Sequence, residues 1–367
     1  MSRGASAVPD THFAYGPLRA TATAPGLEAL ADPKRSFIIA DERTIGFLPD
    51  AFSACPRAIV PRGEAAKNLA ALELLYEAFL KEGLGRDGSV VALGGGSVSD
   101  LAGFAASTWM RGVDFGFVPT TLLAMVDAAQ GGKNGLDFGG RKNLIGCFNK
   151  PRFVLVDTAC LAALPPYDLA CGMAEALKHG IIEGEEHFSL IERGVLGGLP
   201  LGSDSLAAIV KASIGFKGRI VAEDPYEQGP RMLLNLGHSI GHGVEVISGL
   251  AHGAAVAVGL IAAFGLVSRR ARSGGDSAAG TSIERTAERV RAVLKALSLP
   301  LTLEDARLTA SAATSPAAFR EAVIEAMTAD KKRRGADMLF ALPRGIGNVT
   351  IEPVGLEELA GYVREAP

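Results

Sequence analysis

Cysteine is scarce in this chain. Cys55, Cys147, Cys160 and Cys171 are the four present, and no two stand as C-x-x-C. That excludes a zinc knuckle, a thioredoxin motif and a disulfide framework, and leaves four reduced, mostly buried thiols. A surplus of one charge sign is also missing: Lys and Arg total 37, Asp and Glu 40, for a net charge of −3. A dedicated nucleic-acid binder would be basic. A disordered chain would be poor in apolar residues, whereas 48% here are hydrophobic. Long apolar runs are absent as well. The first 26 residues hold no signal-peptide core. The longest run, Ala254 to Val267, falls short of the ~20 residues that span a bilayer and reads as a buried core helix. The expectation is a soluble, cytoplasmic protein that binds neither nucleic acid nor membrane. Aromatics are few too: 16 Phe, five Tyr and one Trp stand against 45 Gly, a composition suited to tight turns and close backbone approaches.

The 367 residues suit two domains. Residues 1–16 are polar and irregular and read as a loose arm. From Ser36 onward, short apolar runs alternate with helical spacing. Strands are expected at 36–41, 57–61, 89–93, 115–118 and 152–157, with helices at 64–81 and 99–110. Such alternation implies βαβ units and a mainly parallel sheet. After Pro165-Pro166 the strand signals almost stop. Helices are expected at 167–182, 185–196, 205–222, 237–247, 254–271, 283–296 and 316–328, with a mobile loop at 272–281 and a late hairpin formed by 338–343 and 348–351. The expected architecture is therefore an N-terminal Rossmann-like α/β domain, residues 1–165, and a C-terminal mostly helical domain, residues 166–367.

Gly94-Gly-Gly-Ser-Val-Ser-Asp100 follows an apolar strand and opens a helix. Glycines there let backbone N–H groups approach a phosphate at a helix N-terminus. A tight turn packing helix on sheet is the equally economical reading. Thr120-Thr121 follows the next strand, and ligands of open α/β sheets bind at the carboxyl ends of strands. His238, His242 and His252 cluster within fifteen residues. The first two are four apart and share a helix face, which suits a zinc site or two inert histidines. Glu175 lies in an apolar helix three residues before Lys178, either a buried carboxylate needing a partner or metal, or an ordinary surface pair. Lys133, between glycines, is placed to meet an anion, whereas the run 331–334 reads as a surface feature.

In order along the chain, Gly63-Glu-Ala-Ala-Lys67, the 94–106 turn and helix, Met110-Arg-Gly112, Pro119-Thr-Thr-Leu-Leu-Ala124, Gly131-Gly-Lys133, Lys142-Asn-Leu-Ile-Gly146, Ala174-Glu-Ala-Leu-Lys178, Arg231-Met-Leu-Leu-Asn-Leu-Gly-His238 and Asp330-Lys-Lys332 resemble the 3-dehydroquinate synthases, within the sugar-phosphate cyclase group. The resemblance covers roughly residues 36 to 355. It implies a nucleotide-binding α/β domain and a helical metal-binding domain. It also implies NAD and a divalent metal, zinc or another such as cobalt, a sugar phosphate substrate and a homodimer. The implied reaction converts 3-deoxy-D-arabino-heptulosonate 7-phosphate to 3-dehydroquinate and phosphate by transient oxidation, phosphate elimination, re-reduction and aldol cyclisation.

The same resemblance implies residue roles. Glu175, His238 and His252 match the metal ligands, and His242 matches a histidine of proton handling and phosphate contact. Glu227 matches a proton acceptor, and Lys178 and Asn235 complete the catalytic set. Lys217 and Arg231 match residues on the substrate carboxylate. Asp127, Lys133, Asn143 and Lys331 or Lys332 match other substrate positions, and Arg111 an arginine that reaches the phosphate in a neighbouring subunit. Asp41, Glu64, Lys67, Gly95, Gly96, Ser97, Asp100, Thr120, Thr121 and Lys142 match the NAD site. The chain departs from the family's usual pattern at Ala254, where a glutamate commonly follows His-Gly, and at Asn134, Met125, Ala128-Ala-Gln130, Ser97 and Ser99. A missing carboxylate beside a metal ligand would weaken metal binding. The alternatives are a sister cyclase acting on sedoheptulose 7-phosphate or glucose 6-phosphate, an NAD- and metal-dependent alcohol dehydrogenase, and an inactive binding protein.

Overall fold

A computed structural model describes residues 9–14, 26–310, 315–328, 333–334 and 337–366. The chain divides into two compact units. The first takes Met1–Leu169 with Lys217–Tyr226, and the second takes Ala170–Phe216 with Glu227–Pro367. The cut lies four residues beyond the expected one. Its second difference is larger, because a segment of a later helix returns to the first unit.

In the first unit the strands are β1 (Asp10–Ala14), β2 (Ser36–Ala40), β3 (Arg57–Ile59), β4 (Ser89–Gly94), β5 (Asp114–Pro119), β6 (Lys133–Phe138), β7 (Arg141–Phe148) and β8 (Phe153–Asp157). The helices are α1 (Leu27–Leu30), α2 (Leu69–Lys81), α3 (Gly96–Thr108) and α4 (Leu122–Val126). Six strands pair in the order β1-β8-β5-β4-β2-β3, all parallel. β2 and β8 are buried at every position, the pattern of strands covered on both faces. Counted from β2, the order is the doubly wound 2-1-3-4-5 with β1 added at one edge, so the topological switch point falls between β2 and β4. Register sets Ala40 opposite Leu93 and Leu93 opposite Val118. The carboxyl ends of β2, β4 and β5 are therefore level.

One expectation fails in this unit, and one hairpin was not expected. Asp10–Ala14 is not part of a loose arm but a strand paired along its length with β8; residues 1–8, 15 and 16 lie outside the described residues. The glycine-rich stretch after β5 is an antiparallel hairpin, β6 with β7. Gly135 and Gly146 allow its two strands to close: a Cβ on Gly135 would lie 2.6 Å from the Ile145 carbonyl oxygen, and one on Gly146 would lie 2.5 Å from that of Asn134.

The second unit holds the helices α5 (Pro166–Glu183), α6 (Glu185–Leu196), α7 (Ser203–Glu223), α8 (His238–Ser248), α9 (His252–Ser273), α10 (Ser277–Ala296), α11 (Leu303–Thr309), α12 (Pro316–Thr328) and α13 (Leu356–Glu365). The first residues of α5 and the last of α7 count with the first unit. The strands β9 (Arg333–Arg334), β10 (Asp337–Gly345) and β11 (Asn348–Gly355) form the expected hairpin with one short extra strand. α9 is long and apolar enough to cross a membrane, yet 78% of its most apolar window is buried inside the molecule, so that length serves as core. The expected loop at 272–281 shrinks to residues 274–276. Asp276 caps α10 by accepting from the Ala279 N–H at 2.9 Å, and Arg272 pairs with Glu284 at 2.6 Å, so α9 and α10 nearly meet. α11 and α13 were not legible from spacing.

Candidate functional site

The candidate nucleotide site lies in the first unit, at the switch point. Gly95 is the N-cap of α3 and supplies no side-chain cap, so the first N–H groups of that helix are open to an anion. Space at Gly95 and Gly96 is tight. A Cβ on Gly95 would sit 3.2 Å from the Thr121 side chain, and one on Gly96 would sit 3.2 Å from the Ala128 Cβ. Thr121 caps α4 through the Ala124 N–H at 3.1 Å, and the Thr120 N–H donates to the Gly94 carbonyl at 2.9 Å. Asp41, at the end of β2, accepts from the N–H groups of Arg43 and Thr44, both at 2.9 Å. Thr44 in turn donates its hydroxyl to the Leu93 carbonyl at 2.7 Å, tying the two strand ends.

Lys67 is the hub beneath this turn. It is buried, 2.8 Å from Asp100, 3.8 Å from Glu64 and 4.0 Å from Asp137, and it donates to Asn143. Burial opposes its charge, but Asp100, Glu64 and Asp137 outweigh that and raise its pKa. Burial pushes Asp100 up to about 6 against the pull of Lys67. Ser97 completes the chain with its hydroxyl 3.5 Å from Glu64. The expected nucleotide residues about this turn thus converge, and Lys142 is exposed on β7 next to Asn143, which accepts from Lys67.

The expected substrate residues of this unit are less uniform. Asn143 takes a left-handed φ of 52° and donates its N–H to Asp137 at 2.8 Å. Lys133 is exposed at the start of β6. Lys217 is buried and donates to both the backbone oxygen and the carboxylate of Asp127, at 2.5 and 2.6 Å. Arg111 stands on a hook of three left-handed residues, Met110, Arg111 and Gly112, with φ of 50°, 69° and 114°. For the two non-glycines this costs roughly 1–2 kcal/mol each, and it leaves the guanidinium exposed.

The candidate metal centre lies in the second unit. Glu175 on α5 is 0% exposed, and His238 and His252 are the first residues of α8 and α9. One ligand atom from each lies within 4.8 Å of the others. The Nε2 atoms of His238 and His252 stand 3.5 and 3.4 Å from Glu175 Oε1. Donors bound to one tetrahedral zinc at ~2.0–2.1 Å would lie about 3.3 Å apart, so two imidazoles and a carboxylate so spaced fit that ion.

Glycines make this convergence possible. A Cβ on Gly259 would lie 1.8 Å from the Gly237 carbonyl oxygen, and one on Gly253 would lie 2.1 Å from that of Cys171. Both remote nitrogens are also held: His238 Nδ1 donates to the Leu236 carbonyl at 3.2 Å, and His252 Nδ1 donates to Glu245 at 3.0 Å. Burial, then Lys178, pulls the His238 pKa well below the usual histidine value. Burial also opposes charge on His252, but Glu175 and Glu245 prevail and raise its pKa to about 10.

Lys178 is 1% exposed and pairs with Glu175, so the pair is not a wet surface contact. A buried ion pair costs desolvation that only close partners offset. His242 shares the α8 face with His238, its ring centroid 5.3 Å away, and is 5.9 Å from that of His252. Glu227, at a left-handed φ of 59°, accepts from Asn235 at 2.7 Å. Arg231 is buried on the short helix that carries Asn235. Lys331 and Lys332 lie outside the described residues. Spacing alone missed Glu245, although it stands seven residues after His238 and hence on the same face of α8.

A doubly wound sheet with a glycine turn, followed by a helical unit carrying a carboxylate and two histidines, is the plan of a class of enzymes that hold a dinucleotide in one unit and a divalent metal in the other. The fold is similar to a 2-deoxy-scyllo-inosose synthase complexed with carbaglucose-6-phosphate, NAD+ and Co2+, with a TM-score of 0.78, 25% identity and coverage of 97% of this chain and 96% of that one. It is equally similar to 2-epi-5-epi-valiolone synthase from Streptomyces hygroscopicus subsp. jinggangensis with NAD+ and Zn2+ bound, with a TM-score of 0.79, 24% identity and coverage of 97% and 95%. Residues 57–171 match the model of the 3-dehydroquinate synthase N-terminal domain, and residues 172–333 that of the C-terminal domain. A curated 3-dehydroquinate synthase of Geobacter metallireducens is 39% identical over 84% of this chain and 80% of its own length. Others of that name are 36% to 42% identical. The chain belongs to the 3-dehydroquinate synthase family.

Proposed function

We propose that this chain converts 3-deoxy-D-arabino-heptulosonate 7-phosphate to 3-dehydroquinate and phosphate, as an NAD- and zinc-dependent lyase of the shikimate pathway, acting as a cytoplasmic homodimer. The observation that carries this is identity of 36–42% to curated 3-dehydroquinate synthases, against 25% to the sister cyclase. When bound, NAD supplies a reversible hydride acceptor, and the metal supplies a Lewis acid that favours an alkoxide.

The chain's own residues do the remaining work. The open N–H groups at Gly95 and Gly96 receive the dinucleotide phosphates, with Thr120, Thr121 and Ser97 beside them. Asp41, Glu64, Lys67, Asp100 and Lys142 serve the rest of the nucleotide. Glu175, His238 and His252 hold the metal, and Lys178 balances the carboxylate. The buried Arg231 guanidinium is the partner for the substrate carboxylate, together with Lys217, whose charge Asp127 keeps in place. Glu227 accepts a proton and Asn235 orients it through their 2.7 Å hydrogen bond. His242 moves a proton at the leaving phosphate, with Lys133, Asn143 and Lys331 or Lys332 contacting substrate. The exposed Arg111 hook reaches the phosphate of the second protomer.

Phosphate release by the purified protein, with NAD and zinc and with chelator as control, tests the reading. Chelator-sensitive release without net NADH is expected. Release from sedoheptulose 7-phosphate or glucose 6-phosphate in place of the carboxylate substrate would refute it, since those sugars offer Arg231 no anion.

A further inference from the structure

We propose that Glu245 is a positioning residue of the metal centre: its carboxylate holds His252 in the tautomer and orientation that turn Nε2 toward Glu175. The proposal rests on reading Glu175, His238 and His252 as the metal-binding set. Glu245 is buried on α8, two turns beyond His238, and accepts from His252 Nδ1 at 3.0 Å. One helix therefore carries one ligand and fixes another that begins the next helix.

The two imidazoles are supported unequally. His238 Nδ1 meets a neutral carbonyl at 3.2 Å, whereas His252 Nδ1 meets a carboxylate. The charged acceptor makes the stronger bond and the more basic Nε2. Position 254, two residues beyond His252, is a fully buried alanine and supplies no such group. The support falls to Glu245.

A rival use of the same atoms exists, because His242, Glu245 and His252 also lie within 4.8 Å of one another. Distance separates the two. The 3.0 Å from Nδ1 to Glu245 is a hydrogen-bond length. The 3.4 and 3.5 Å from the Nε2 atoms to Glu175 are the separations of donors sharing one tetrahedral ion.

Cobalt(II) is the probe, titrated into full-length wild type, Glu245→Gln, Glu245→Asp and His238→Ala. Affinity is read by competition with a chromophoric chelator, geometry by the visible cobalt bands, and folding by thermal melts of the metal-free proteins. Glu245→Gln is expected to bind cobalt about 10–100-fold more weakly. It should keep a cobalt spectrum, with shifted bands, and melt within a few degrees of wild type. His238→Ala should lose binding outright. Glu245→Asp, which keeps the charge but withdraws it by one carbon, should be weakened at least fivefold and answers the question even where the glutamine variant folds poorly. Affinity within twofold of wild type in the two Glu245 variants overturns the proposal. So does abolished binding in Glu245→Gln with intact binding in His238→Ala, which would make Glu245 a ligand. A wild type that binds no cobalt overturns the metal-centre reading itself.

Discussion

Substituting Gly253 by alanine is the sharpest test of how the second unit builds its metal centre. Gly253 follows His252, and its added Cβ would lie 2.1 Å from the Cys171 carbonyl oxygen, 2.5 Å from its carbon and 2.6 Å from its Cα. All three are backbone atoms of α5, one turn before Glu175, so neither side can yield by rotating a side chain. Relief to an ordinary contact of 3.4 Å requires a shift of about 1.3 Å between the start of α9 and α5. Taken along the line joining the ligands, that shift lengthens the distance from His252 Nε2 to Glu175 Oε1 from 3.4 Å to about 4.7 Å. Two donors each ~2.0–2.1 Å from zinc span at most about 4.2 Å even when opposite, so the pair could no longer share one ion.

Overpacking of this kind also destabilises a fold by about 1–3 kcal/mol. Chelator competition should show zinc affinity down at least 100-fold, and a thermal melt should show a stability loss in that range. Gly361→Ala is the control. It lies in α13 with nothing within 4 Å of the new Cβ, and should leave zinc affinity unchanged. Zinc bound by Gly253→Ala within threefold of wild type would refute the geometric argument.

Three further outcomes follow from the same geometry. Asp100, with its folded pKa raised to about 6, should make stability fall as pH rises from about 4 to about 6 and level off above, because the folded state holds the proton more tightly there. Melts compared with Asp100→Asn should show this slope in wild type alone, up to about 3 kcal/mol; parallel curves would refute it. Thiol labelling of the native protein should modify Cys147 alone, since Cys55, Cys160 and Cys171 are buried and burial raises the first two, Cys160 to about 12; rapid labelling of a second thiol would contradict that burial. Arg231→Met should raise KM for the carboxylate substrate at least tenfold, while NAD affinity, measured by calorimetry, stays within twofold; unaltered kinetics would remove Arg231 from the site.

Much of this was legible in the chain. The strand at 89–93 and the glycines after it announced both a sheet and a turn at its carboxyl end. The strand is a continuous buried apolar run, and a Cβ at Gly95 or Gly96 would crowd Thr121 or Ala128 at 3.2 Å. Spacing also found the helices at 185–196 and 316–328 to the residue. It failed where local composition misled. Serine, glycine and alanine at 272–281 read as a loop, but the Asp276 cap and the Arg272–Glu284 pair accompany helix over all of it except 274–276. Polar residues at 10–14 read as an arm, but β8 offered an open edge.

The divide follows from the range of the forces involved. Periodicity, capping and glycine freedom act over a few residues, so the order of elements and the identity of the chemically able side chains are written in the linear chain. Which of those side chains meet is decided by packing between distant segments. His238 and His242 share a face by spacing, yet it is His252 that joins His238 at Glu175, because Gly253 and Gly259 let α9 close on α5 and α8. Glu245 acquires its role only because that closure sets a buried carboxylate against a histidine nitrogen.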